Sequence, residues 1–81
     1  MSQDDAADRS TRVALYRAGP ESWRAIDPSF PLWDARCLLA HVEAVGDHYV
    51  VLSLVPPLGG VTEVPTLAAA EDCVEELRRT A

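Results

Sequence analysis

Lysine and asparagine are missing from this chain altogether, so all seven basic side chains are arginines, set against 13 acids for a net charge of −6. Most nucleic-acid affinity comes from neutralising phosphates, which makes an acidic domain a poor direct binder of DNA or RNA. Arginine without lysine, together with abundant Ala, Val and Asp, is the usage of a GC-rich coding sequence and points to a bacterial or phage source. Two cysteines, Cys37 and Cys73, fall short of the several pairs that staple a small secreted domain, and both are expected to be reduced and buried. No apolar run approaches the roughly 20 residues that span a bilayer, and no basic start leads into an apolar segment of signal-peptide length. A cytoplasmic setting with no membrane contact is therefore expected. The one adjacent glycine pair, Gly59-Gly60, joins two apparent strands, whereas a phosphate cradle would open a helix.

What is present is globular: 48% hydrophobic and 25% charged residues over a length of 81. A domain this small buries only about 60% of the surface its unfolded chain exposes, so a partner or a second copy is a natural supplement to stability. The residues Met1 to Thr11 are polar and acidic and read as a disordered tail, leaving 12–81 as one domain. Arg12 to Arg17 and Ser22 to Ile26 alternate as two strands joined by a Gly19-Pro20 turn. The two prolines of Asp27-Pro28-Ser29-Phe30-Pro31 stop that hairpin.

From Asp34 to Val45 two readings compete. Ala35, Leu38, Leu39, Val42 and Val45 form a helical stripe, with Asp34 as cap and Gly46 as terminator. Alternatively Leu38, Ala40, Val42 and Ala44 alternate in a strand, and Gly46-Asp47 is a tight hairpin turn. The helix is preferred because caps, propensity and period agree. His48 to Val55 is the longest β-branched and aliphatic run, apolar on both faces. Pro56 to Gly60 is a loop and Val61 to Val64 a short strand. Thr66 caps a last helix whose stripe is Leu67, Ala70, Val74 and Leu77.

Laying Val50 on Leu15 and carrying that offset along superposes Ile26 on Val61, Ala35 on Ala70 and Val42 on Leu77, which suggests an internal duplication. The expected fold is thus α+β, ββαββα: a four-stranded, mostly antiparallel sheet with two helices on one face. Val50, Leu52 and Leu54 are expected to face the helices. Tyr16, Tyr49, Val51 and Val55 are expected on the open face as a partner-binding patch.

Chemistry-bearing residues are few. Asp34, Cys37 and His41 would line one side of a helix, but a structural zinc site needs four ligands with a second pair nearby, and only His48 or Cys73 could contribute. Cys37 and His41 as nucleophile and base would require a positive field that an acidic chain does not supply. No catalytic residue, metal or other cofactor is assigned. The acids Glu71, Asp72, Glu75 and Glu76 on the last helix form a second candidate surface, either a solvated face or a row imitating phosphates in a basic groove.

The run Pro56-Pro57-Leu58-Gly59-Gly60-Val61-Thr62-Glu63-Val64-Pro65-Thr66-Leu67-Ala68-Ala69-Ala70 resembles the strand-turn-strand-helix segment of HicB-type antitoxins. That resemblance implies a small protein that neutralises a toxin by binding it directly. The residues themselves point to a non-enzymatic interaction module that binds a protein partner or itself through the open sheet face or the acidic last helix. An antitoxin-like or nucleic-acid-mimicking inhibitor of a nucleic-acid-processing enzyme is the alternative.

Overall fold

The computed structural model describes residues 12–55 and 60–80; the acidic tail and most of the Pro56 to Gly60 loop lie outside them. The architecture is α+β. Five strands, β1 (Ala14–Gly19), β2 (Ser22–Ile26), β3 (Leu38–Val45), β4 (His48–Ser53) and β5 (Val61–Val64), precede one helix, α1 (Leu67–Thr80). The strands form an antiparallel meander in the order β1-β2-β3-β4-β5, and α1 packs over β3, β4 and β5.

The expected helix from Asp34 to Val45 is corrected to a strand, which gives five strands and one helix in place of four and two. The capping signal at Asp34 is real, since its side chain accepts from the Arg36 N–H at 2.9 Å, but it starts only a 3-10 turn, Ala35–Cys37. Beyond it, β3 lies between β2 and β4 and pairs its backbone on both sides. A helix there would leave two strand edges unpaired, so tertiary pairing overrides the local stripe. Gly46 has a φ of 62° beside Asp47, and Val45 pairs with His48 around that two-residue turn. Positive φ at the first central position is the type II′ hairpin pattern that the strand reading anticipates. With no helix in the first half, the duplication does not hold either.

The core is Val13, Ala25, Leu39, Ala40, Val42 and Val51, closed from above by Ala70 and Val74 of α1. Consecutive Leu39 and Ala40 both enter it because the β2–β3 register shifts there, Ala25 facing Ala40 and Ile26 facing Leu38. On α1 the stripe is as expected, and Thr66 caps the helix by accepting from the Ala69 N–H at 3.0 Å.

The faces of β4 are the reverse of the expectation. Val51 is 1% exposed, and Tyr49 and Val55 pack against the core, while Val50 and Leu52 lie on the side away from α1. The cross-strand neighbours explain this. Tyr49, Val51 and Ser53 face Ala44, Val42 and Ala40, which are small and apolar enough for a helix to approach. Val50 and Leu52 face Glu43 and His41, whose burial without partners would be costly.

Candidate functional site

The face opposite α1 is built from two cross-strand rows. One runs Tyr16, Arg24, His41, Leu52 and Val61 across all five strands; the next runs Ser22, Glu43, Val50 and Glu63. No described element forms a layer over these rows. Tyr16 is 52% and Val61 61% exposed at the two edges, and Val45, Leu38 and Leu54 extend the exposed apolar surface. Apolar side chains thus alternate with one arginine, Arg24, one histidine, His41, and two acids, Glu43 and Glu63.

Arg24 and Glu43 sit on adjacent strands of this face, and neither makes an ion pair among the described residues. His48 lies 3.3 Å from Asp47 and 3.7 Å from Glu63, its charge depending on protonation. Of the expected surface patch, only Tyr16 is where it was placed. Leu52, Val50 and Val61 take the positions assigned to Tyr49, Val51 and Val55. Alternation identifies both sets but does not say which faces outward.

The acids of α1 are engaged within the chain. Arg12 lies 3.0 Å from Asp72 and 3.9 Å from Glu71. One Glu75 oxygen accepts the Val13 N–H at 3.1 Å, and the other meets Arg78 at 2.8 Å. Glu76 pairs with Arg79. An uncompensated row of negative charge, as phosphate imitation requires, is therefore not what this helix presents.

Asp34, Cys37 and His41 do not share a helix face. Asp34 is bound to Arg36, Cys37 is buried with its Sγ 3.6 Å from the Leu32 carbonyl, and His41 stands mid-sheet on β3. Among the described residues no group of three or more His, Cys, Asp or Glu comes together to hold a metal. Cys37 and Cys73 are both free thiols, the second only half-buried. No described helix is long and apolar enough to cross a membrane.

The corner between β2 and β3 holds a feature that sequence reasoning missed. Trp33 is 86% and Leu32 69% exposed. The same corner contributes Asp27, Phe30, Ala35 and Arg36 to a groove of about 580 Å3 whose other walls are Leu38, Leu39, Leu54, Val55 and Arg78. The corner is braced. Asp34 N–H donates to the Pro31 carbonyl at 2.9 Å, and Arg36 clamps both Asp34 oxygens at 2.7 and 3.1 Å while its guanidinium stacks 4.4 Å from the centre of the Phe30 ring. The Arg36 side chain, and then its backbone N–H, hold the Asp34 pKa down at about 2. The available signal was a Leu-Trp pair inside a proline-marked corner, where neither strand nor helix periodicity gives it a core position.

No protein-family model, no curated protein and no solved structure matches this chain. The resemblance of residues 56–70 to HicB-type antitoxins accordingly rests on those residues alone.

Proposed function

We propose that this chain is a non-enzymatic protein-interaction module that binds a protein through the uncovered face of its sheet. The observation that carries the reading is the row Tyr16, Leu52 and Val61, with Val50 beside it, on a face over which no described element is layered. Exposed Tyr16 and Val61 with half-exposed Leu52 and Val50, interleaved with charges, is the composition of an interface, and water is a poor permanent neighbour for it. The acidic helix supports binding less well, because Arg12, Arg78 and Arg79 already answer its carboxylates. The same compensation weighs against the inhibitor reading. Two free thiols suit the reducing cytoplasm, where we set this function.

Affinity capture from host cells with the wild-type chain and with Leu52→Asp tests the reading. The substitution should remove the captured partner while leaving the thermal transition within a few degrees of wild type. An unchanged capture profile would overturn it.

A further inference from the structure

The uncovered face meets the groove at one end of the sheet, where exposed Leu54 continues the alternation of Val50 and Leu52 into the groove wall; Leu39, Val55 and Arg78 carry the groove on toward α1. We infer that the occupant is a second copy of this chain, related by a two-fold axis, with Trp33 of each copy seated in the groove of the other. The inference rests on the sheet-face reading above and names its partner.

Three observations converge on this assignment. The first is a knob and a hole on one molecule. Trp33, at 86% exposure, does not occupy its own groove, and the Asp34–Arg36–Phe30 brace presents it from a fixed turn. A pre-organised aromatic anchor loses little entropy on binding, and indoles dominate interface energetics. A groove of about 580 Å3 has room for an indole, and its walls are mostly aliphatic and aromatic, with Asp27, Arg36 and Arg78 as its charged members.

The second is area. Strand spacings of about 4.8 Å and a rise of about 3.4 Å per residue give the five-stranded face a footprint of only about 350 Å2. A stable interface takes about 800 Å2 from each partner. Reciprocal burial of Trp33, worth about 200 Å2 for each indole, together with the groove walls it covers, brings the contact close to that size.

The third is charge. Arg24 and Glu43, of opposite sign on the same face, make no ion pair among the described residues. A two-fold axis lets Arg24 of each copy meet Glu43 of the other, the self-complementarity that an isologous contact demands. The remaining surface is acidic and repels its copy, so this dimer should tighten as salt rises. A cationic partner would show the opposite dependence.

Sedimentation equilibrium on the full chain at about 50 mM and about 500 mM NaCl, from about 1 to about 200 µM protein, tests the inference. The expected result is a dimer that tightens with salt and is weakened at least about 100-fold by Trp33→Ala. Trp33 is exposed, so at protein concentrations where both chains are monomeric that variant should melt as wild type does, and iodide should quench tryptophan emission less in the dimer than in the monomer. A wild-type chain that stays monomeric throughout overturns the second-copy assignment and leaves the sheet face to be judged by host capture. A dimer indifferent to Trp33→Ala, with unchanged quenching, overturns the indole seat. A dimer lost with Trp33→Ala but untouched by Leu52→Asp overturns the sheet-face reading and keeps the Trp33 contact.

Discussion

Arg78, near the end of α1, lies 3.3 Å from Asp27, the buried residue that follows β2, and reaches Glu75 at 2.8 Å with its other nitrogen. Glu75 in turn holds the backbone N–H of Val13 ahead of β1. One guanidinium therefore joins the last helix to the corner carrying Trp33 and, through Glu75, to the first strand. Asp27 also accepts from the Ser29 N–H at 2.9 Å, so removing its cation leaves a shielded carboxylate only partly satisfied. Arg78→Ala should cost about 2–3 kcal/mol in urea unfolding, and Asp27→Asn about 1–2 kcal/mol.

Val51 and Val50 are neighbours in the chain with opposite fates. Val51 faces Val42 in the core, and Val50 faces Glu43 and Glu63 on the uncovered side. Val51→Ala should destabilise by about 2–3 kcal/mol through lost burial and the cavity left behind, against less than about 1 kcal/mol for Val50→Ala. Equal losses in denaturant titrations would mean that the face assignment is wrong.

The four acids of α1 should separate into two classes. Asp72 is exposed opposite Arg12, so Asp72→Ala should change stability by no more than about 0.5 kcal/mol. Glu75 is largely shielded and holds both the Val13 N–H and Arg78, and Glu75→Ala should cost about 1–2 kcal/mol. Thermal melts of the two single variants are sufficient to see the difference.

Acid should loosen the Trp33 corner. The Asp34 carboxyl falls from an ordinary value of 3.8 to about 2 because Arg36 binds its ionised form. The stabilisation this brings is full above the unfolded value and is lost as pH drops from about 4 through about 2. Within that window the wild-type chain should lose stability more steeply than Asp34→Ala, which lacks the titrating group. Matching pH profiles from guanidinium melts would dispose of the clamp.

Much of the fold was legible locally. The β1–β2 hairpin, the proline-marked corner, the short β5 and the capped final helix each carry their own signal: alternation, a turn residue, or a threonine ahead of an apolar stripe. Leu38 to Val45 carried two signals of similar strength. Its helical stripe and its strand alternation share Leu38 and Val42, and Gly46 serves either as a helix terminator or as a hairpin turn. The candidate site was legible to a smaller extent. Tyr16 and the existence of an uncovered sheet face were anticipated; Leu52 and Val50 came from the face expected to be inside, Val61 from a short strand given no face, and Leu32 and Trp33 from a corner without periodicity.

By itself, then, the amino-acid order determined what each short segment can do on its own: where backbone donors vanish at proline, where glycine permits positive φ, which residues share a face, and how acidic the whole surface is. Tertiary structure decided the rest. Whether Leu38 to Val45 was strand or helix depended on β2 and β4 having edges to satisfy, a demand made by residues distant from it in the chain. Which side of β4 met α1 depended on its neighbours, alanine and valine on one side and glutamate and histidine on the other. Both outcomes follow from backbone pairing and the cost of burying charge. These terms are set only when distant segments come together.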